Sequence, residues 1–256
     1  MAAEKSTNLI DPIHQFVITR ITDIKIGNID ISFTNSSQFM VIATLAIMAF
    51  FMLGLSKKSI IPNRFQIMCE LSYEFIANLL RTNVGDQGKA FFPFVFSLFM
   101  FIFFCNLIGL IPYSFTVTSH LIVTITLAGM IFLGKLIVGF RRHGLHFFAL
   151  LLPGGAPMVM APFLVRIELV SFNITVVSLS VRLFANMMAG HILLKVLVGF
   201  AWTMMLGGFA LFIAHFVPLG VLFALYGLET GVAIVQAYVF SLLTCIYLAE
   251  VMEGAH

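Results

Sequence analysis

A stripe of polar and ionisable residues lies within the most hydrophobic half of this 256-residue chain. Its members follow one another at intervals of three or four positions: Glu168, Ser171, Thr175, Ser178, Arg182 and Asn186. In an α-helix this spacing places all of them on one face. Such a helix would carry an acid near one end and an arginine ~21 Å further along, which is too far for a salt bridge. The stripe therefore predicts a polar path along an otherwise apolar helix.

Arg182 has no acidic residue within ten positions on either side. An ionisable side chain inside a membrane is costly and by default indicates a function. Arginine keeps its proton when desolvated, so Arg182 would be a fixed charge that repels a proton and draws a carboxylate out of its protonated state. Because this chain offers no nearby acid, that carboxylate would belong to another, moving chain. The structural alternative is an arginine that binds the carbonyl groups of a helix end.

A second set of groups that can exchange protons comes from the two arms of the last third. Glu229 and Gln236 are seven positions apart and share a helical face, and Glu229 could meet His191 across a helical hairpin. Histidine titrates near neutral pH and a partly buried glutamate can be shifted toward it, so this pair could take up and release protons. Glu250 is either a solvated helix end or an exit group. The pattern predicts two proton half-paths separated by Arg182.

Other polar groups have simpler interpretations. Arg166 and Lys195 suit anchors whose charged heads extend to the membrane surface. His120 and His215 suit interfacial histidines whose hydrogen bonds are satisfied. Asn106 could join two helices or line the path.

The composition excludes a soluble domain. Hydrophobic residues make up 61% of the chain and charged residues 10%, with a mean hydropathy of +1.07. We expect an all-α polytopic membrane protein with about five or six membrane helices, each of ~20 residues. The first 37 residues are polar and contain no apolar core of a signal peptide. The three cysteines are predicted to be free thiols, and we expect no cofactor, no metal and no nucleic-acid partner.

Breaks in the apolar pattern divide this single membrane domain into four parts. Residues 1–37 form a polar arm, with a short surface hairpin predicted over 25–33. Residues 38–140 contain three membrane helices (38–55, 91–112 and 119–140) and an amphipathic interfacial helix at 62–81. Residues 145–163 contain three prolines and a Gly-Gly pair, which predict a broken membrane segment. Residues 164–250 are predicted to form a long helical hairpin that turns near 207–208.

The length of the hairpin predicts a strong tilt. Residues 164–199 contain no proline and would form a helix ~54 Å long, whereas the hydrocarbon core is ~30 Å thick. Such a helix has to tilt, bend or project from the membrane. The basic segments 56–90 and 141–146 are predicted to face the cytoplasm or matrix, with 1–37 and 113–119 on the outer side.

Five blocks of the sequence resemble subunit a of the F-type ATP synthase family, the proton-channel subunit. They are "DPIHQF" (11–16), "FCNLIGLIPYSFTVTSH" (104–120), "GLHFFALLLPGGAPMVMAPF" (144–163), "RLFANMMAGH" (182–191) and "LETGVAIVQAYVFSLLTCIYL" (228–248). The blocks occur in the family's order and the resemblance covers nearly the whole chain.

The resemblance implies a role for each candidate residue. Arg182 matches the arginine that faces the proton-carrying carboxylate of the rotating ring of c subunits. The remaining matches are Asn186 and Gln236 beside it, His191 and Glu229 in the outer half-channel, and Glu168 and Glu250 in the inner one. Ser178, a member of the polar stripe, is expected to line the path. The order of His191 and Glu229 is similar to the mitochondrial and alphaproteobacterial branch. Thr175-Val176 departs from the Arg-Pro or Gln-Pro that is usual in the family, so a proline bend is not expected there.

The same resemblance implies partners and a location. The partners are the c ring, the peripheral stalk subunit b, the other ATP synthase subunits and the lipid membrane. The location is a bacterial inner membrane, with the mitochondrial inner membrane as the alternative.

Two other classes of membrane protein compete with this interpretation. A stand-alone proton-coupled transporter would be expected to show paired broken helices in inverted repeats, and the sequence has one strongly broken segment. A quinone- or haem-binding respiratory subunit would use paired histidines, for which His191 and His215 are the candidates. The sequence has no G-x-x-x-x-G-K-[ST] nucleotide motif, so we expect a non-catalytic subunit.

Overall fold

A computed structural model of the chain describes residues 16–23, 25–26, 29–30, 32–56, 62–111, 114–144, 161–205 and 207–253. Helices dominate these residues, which confirms the predicted all-α membrane fold. Five stretches are long and apolar enough to cross a bilayer: Asn35–Leu55, Asp86–Gly109, Leu121–Arg142, Val177–Met205 and Phe209–Met252. Most of the predicted broken segment, 145–160, lies outside the described residues.

A small antiparallel β-structure precedes the first membrane helix. Its strands are β1 (Arg20–Thr22), paired with β4 (Phe33–Thr34), and β2 (Lys25–Ile26), paired with β3 (Ile29–Asp30). The Asn35 side chain ties the end of β4 to the chain before β1. Its amide donates to the Val17 carbonyl at 3.1 Å, and its Oδ1 accepts from the Thr19 amide at 3.3 Å.

Helix α1 (Asn35–Leu55) begins three residues before the predicted position 38 because polar side chains cap it there. Asn35 Oδ1 accepts from the Ser36 amide at 2.9 Å, and Thr34 Oγ1 accepts from the Ser37 amide at 3.4 Å. These bonds satisfy amides that have no partner inside the helix.

Helix α2 (Arg64–Val84) corresponds to the amphipathic helix predicted at 62–81 and has two apolar sides. One side is buried: Cys69, Ile76, Leu80 and Val84. The sequence pattern places five apolar side chains near one face, and all of them except Leu79 are exposed: Phe65, Met68, Leu71, Phe75 and Leu79. An exposed apolar face on a helix with charged residues elsewhere suits the surface region of a bilayer.

The next two helices are α3 (Phe92–Gly109), which follows a 3₁₀ turn at Asp86–Phe91, and α4 (Leu121–His143). The connection between them includes the segment Ser114–His120, with a 3₁₀ turn at Val117–Ser119. Helix α3 ends at Gly109, three residues before the predicted Pro112. The Ser114 hydroxyl donates to the Ile108 carbonyl at 2.6 Å.

The last third contains α5 (Ala161–Met205), α6 (Phe209–Ala214) and α7 (Phe216–Glu253). Helix α5 has 45 residues and runs without a break through Thr175 and Val176. The predicted turn is present, and Gly208 has φ +107°, a conformation that favours glycine. The break between α6 and α7 follows from Pro218, which lacks the N–H that would bond the Ala214 carbonyl.

The chain divides into two compact units. The first comprises Met1–Leu45, Ile102–His120 and Leu183–Gln236, and the second comprises Ala46–Phe101, Leu121–Arg182 and Ala237–His256. Buried residues of the first unit include Ile102, Asn106, Leu183, Met187 and Ala233. Buried residues of the second include Ile76, Val95, Ile131, Leu179 and Phe240.

Polar contacts supplement the apolar packing inside each unit. In the first, the Tyr226 hydroxyl donates to the Leu110 carbonyl at 3.0 Å. In the second, the buried Ser180 hydroxyl donates to the Thr124 carbonyl at 3.2 Å, which joins α5 to α4.

Candidate functional site

The polar stripe predicted from the sequence lies on a single helix, α5. Ser178, Arg182 and Asn186 are exposed, and Glu168 lies on the same helix further toward its start. The adjoining apolar residues of α5 are buried: Leu179, Leu183 and Met187. Burial of this apolar side turns the side chains of Ser178, Arg182 and Asn186 toward the exposed side of the helix.

Arg182 makes no hydrogen bond or ion pair with any residue that the structure describes. The structural alternative, in which Arg182 binds helix-end carbonyls of this chain, therefore finds no support among those residues. A cation that none of these residues pairs with has to be stabilised by a group outside them or by contact with water.

His191 is half-buried on α5 and is held by a threonine. Its Nε2 lies 3.0 Å from Oγ1 of Thr116, a buried residue between α3 and α4. The same hydroxyl donates to the Gly109 carbonyl at 3.3 Å. Thr116 approaches closely because position 109 is glycine: a Cβ there would lie 2.7 Å from Thr116 Cγ2.

Glu229 on α7 approaches α5 at the residue before His191. Its carboxylate contacts Gly190, the residue before His191, and fills the space that a Cβ at position 190 would need. Glu229 Oε2 is buried and has no hydrogen-bond partner among the described residues. The structure shows no hydrogen bond between the side chains of Glu229 and His191, both of which it describes. The two arms therefore bring the acid and the histidine to neighbouring positions without a direct bond.

Two buried side-chain amides, those of Asn106 on α3 and Gln236 on α7, extend the row of polar groups beyond Glu229. The Asn106 amide donates to the Ala233 carbonyl at 3.3 Å, so Asn106 joins α3 to α7 as the first of its two predicted roles requires. Asn106 Oδ1 and Gln236 Nε2 are buried without a partner among the described residues. Glu229, Ala233 and Gln236 follow at intervals of one helical turn, so these groups extend ~10 Å along the helix.

Glu250 is paired in a way that the sequence analysis missed. Its Oε2 accepts from Lys135 Nζ on α4 at 2.6 Å, and Lys135 also lies 5.0 Å from the ring centroid of Tyr247. Lys135 was recognisable in the sequence as the single charged residue within the apolar run 119–140. Its partner was not, because the two residues are 115 positions apart.

The other two histidines considered in the sequence analysis, His120 and His215, differ in their hydrogen bonding. His215 matches its expected role, since its Nδ1 contacts the carbonyl of Phe212 in the same turn. His120 does not, because its Nε2 is buried without a partner among the described residues. Burial lowers the pKa of His120 below the ordinary histidine value.

Metal-binding chemistry receives no support from the described residues, among which no three or more His, Cys, Asp and Glu side chains come together. All three cysteines are free thiols, as predicted.

Comparison with known families bears on this site. A sequence model of the family described as the ATP synthase A chain matches residues 37–249. The chain belongs to the ATP synthase A chain family. Members of this family are proton-translocating membrane subunits of ATP synthase complexes. The five long apolar helices of this chain suit a place in a membrane. The match includes every candidate site residue except Glu250.

Relatives from bacteria and plants share about half of the sequence. ATP synthase subunit a of Pelagibacter ubique is 50% identical over 248 residues, which cover 96% of this chain and 99% of the relative. The subunit a of Mesorhizobium japonicum is 49% identical over 256 residues and 100% of both chains. That of Marchantia polymorpha is 49% identical over 246 residues, covering 94% of this chain and 98% of the relative.

Proposed function

We propose that this chain forms two offset proton half-channels against a ring of c subunits, and that Arg182 separates them. The observation that carries the proposal is the exposed polar face of α5, on which Arg182 has no partner among the described residues. Packing of Leu179, Leu183 and Met187 on the adjoining side supports it, because it holds that face outward.

In this proposal Arg182 acts on a carboxylate of the ring. An opposite charge close by favours the ionised form of a carboxyl group, so a ring carboxyl that arrives beside Arg182 releases its proton. An ionised carboxylate is costly in hydrocarbon, so it must be protonated again before it moves on into lipid. The arginine charge also repels a proton that would otherwise cross directly from one half-channel to the other.

The outer half-channel uses the polar groups of the first unit. His191 and Glu229 take protons from the outer side, and Gln236 and Asn186 provide polar lining toward the ring. The unpartnered buried atoms of Glu229 and Gln236 support this route, because buried polar atoms without protein partners are commonly bonded to ordered water.

The inner half-channel uses residues of the second unit. Glu168 and Ser178 lie on α5, and Glu250 lies near the end of α7. The bond from Lys135 holds the Glu250 carboxylate at a fixed place, which suits a group that marks the inner exit.

The proposed partners are the c ring, the peripheral stalk subunit b and the remaining subunits of the complex. The proposed location is a bacterial inner membrane, with the mitochondrial inner membrane as the alternative. The similarity to Pelagibacter and Mesorhizobium proteins supports the first, and the similarity to the Marchantia protein is compatible with the second.

The test is Arg182→Ala in the assembled complex, reconstituted in vesicles. We expect proton-driven ATP synthesis to be lost, with passive proton leak through the membrane sector when the catalytic part is removed. The matched control is Arg166→Ala, because Arg166 is also exposed on α5 but lies outside the stripe. ATP synthesis near the control level in the Arg182 variant would overturn the proposal.

A further inference from the structure

The segment Ser114–His120 combines deep burial with unsatisfied polar groups. Its middle residues are buried: Phe115, Thr116, Val117, Thr118 and Ser119. Thr118 Oγ1, Ser119 Oγ and His120 Nε2 have no hydrogen-bond partner among the described residues. Buried polar atoms are almost always bonded either to protein or to ordered water. We therefore expect water molecules to reach this segment.

Thr116 can serve His191 in either of its protonation states. A hydroxyl has one hydrogen and two acceptor lone pairs, and Thr116 Oγ1 lies 3.0 Å from His191 Nε2 and 3.3 Å from the Gly109 carbonyl. When Nε2 is unprotonated, the hydroxyl donates to it. When Nε2 carries a proton, Nε2 donates to Thr116, whose hydrogen turns to the Gly109 carbonyl. His191 thus keeps one hydrogen bond throughout a proton transfer.

His120 connects the surface to this buried segment. The residue is partly exposed, whereas its Nε2 is buried, so the ring extends from the surface to the interior. It stacks on Phe115 with ring centroids 5.0 Å apart and planes at 18°. Burial lowers the pKa of His120, and a neutral imidazole ring has a nitrogen lone pair that can accept a proton.

The titratable groups near this segment belong to two helices. His191 on α5 contacts it through Thr116, and Lys195 lies one helical turn beyond His191. Glu229 on α7 contacts Gly190 and so follows His191 along the route.

We propose that Ser114–His120 is the outer mouth of the proton route, where His120 takes protons from outer water and Thr116 is the positioning residue that presents them to His191. The inference rests on the proposed function, to which it adds the first step of the outer half-channel. His120 passes its proton through water to the Thr116 oxygen, while Thr116 gives its own hydrogen to His191 Nε2. Each group regains its starting protonation once His191 has released a proton toward Glu229.

The first experiment varies the outer pH at a constant total proton motive force in vesicles that contain the assembled ATP synthase. His120→Gln keeps a hydrogen-bonding side chain but cannot bind a proton. We expect ATP synthesis per assembled complex to fall about threefold or more near outer pH 8, where protons are scarce, and to approach wild type near pH 6. The matched control is His215→Gln, because His215 contacts a carbonyl of its own turn.

The second experiment concerns the hydroxyl of Thr116. We expect Thr116→Val to lower ATP synthesis at every outer pH and Thr116→Ser to restore it. Thr203→Val is the matched control, since the Thr203 hydroxyl donates only to carbonyls of its own helix, at 2.9 and 3.2 Å.

His120→Asn serves in the same pH series as a second side-chain amide that does not titrate, in case His120→Gln lowers assembly of the complex.

The possible outcomes separate this inference from the proposed function on which it rests. Wild-type rates in the His120 variants, or a loss that is equal at all outer pH values, would overturn the role of His120. A silent Thr116→Val would overturn the role of Thr116. If Arg182→Ala and Glu229→Gln were silent as well, the proposed function itself would fail.

Discussion

The carboxylate of Glu229 lies against the backbone of Gly190, in the space that a side chain at position 190 would occupy. The contact joins α7 to α5 one residue before His191. A Cβ at position 190 would therefore force the Glu229 carboxylate to move.

Replacement of Gly190 by alanine should displace the Glu229 carboxylate. Glu229 is a proton-transfer group in the proposed outer half-channel, and small displacements of such a group have large effects on rate. We therefore expect proton-driven ATP synthesis to fall by about tenfold or more. Gly129→Ala is the matched control, since nothing lies within 4 Å of a Cβ at that helical position. Adding Glu229→Asp, which shortens the acid by one methylene, should recover part of the activity. Full activity of the single Gly190 variant would show that the carboxylate has room to move without consequence.

Replacement of Gly109 by alanine should break the contact between Thr116 and His191. The new methyl group would lie 2.7 Å from Thr116 Cγ2, so the threonine must shift. We expect lower ATP synthesis in Gly109→Ala and recovery in Gly109→Ala with Thr116→Ser, because serine keeps the hydroxyl and lacks Cγ2. If the double variant is no better than the single one, the methyl contact is not the cause of the loss.

The ion pair between Lys135 and Glu250 should respond unequally to removal of its two partners. The Lys135 side chain is only 13% exposed, whereas that of Glu250 is 54% exposed. Glu250→Gln leaves a mostly buried ammonium without its counter-charge, so we expect a larger loss of thermal stability of the complex than in Lys135→Met. Because the Glu250 side chain is half-exposed, we expect the interaction between the two charges to contribute only about 1 kcal/mol to stability.

The double variant completes this cycle. Lys135→Met with Glu250→Gln should be more stable than Glu250→Gln alone, as measured by thermal melting of the purified complex. Equal effects of the two single variants would contradict the assignment of Lys135 as the buried partner.

Cys69 should react slowly with alkylating reagents. Burial, and to a lesser degree Glu70, raises the pKa of this thiol above its ordinary value, so less of the reactive thiolate is present at neutral pH. In a variant with Cys105 and Cys245 replaced by serine, we expect iodoacetamide to label Cys69 slowly at pH 7 and faster as the pH rises. Mass spectrometry of the native and denatured chains provides the comparison, and equal rates in both would contradict the prediction.

Much of the fold follows from local patterns. The apolar runs predicted the membrane helices because a bilayer sets the length of any segment that crosses it. The Gly207-Gly208 pair predicted the hairpin turn because glycine adopts positive φ without strain, and Gly208 has φ +107°. The observed bounds differ from the predicted ones by a few residues. Helix α1 begins early because the side chains of Thr34 and Asn35 cap it, and Pro218 accounts for the break between α6 and α7.

The sequence alone determined the polar stripe of α5, since helical periodicity places Glu168, Ser178, Arg182 and Asn186 on one face whatever surrounds them. Only the tertiary structure decided which distant groups meet. Three contacts join residues that are tens of positions apart in the chain: Thr116 with His191, Gly190 with Glu229, and Lys135 with Glu250. Such pairs depend on how helices pack against one another, and packing is determined by the summed burial of many apolar side chains rather than by the spacing of the polar residues themselves.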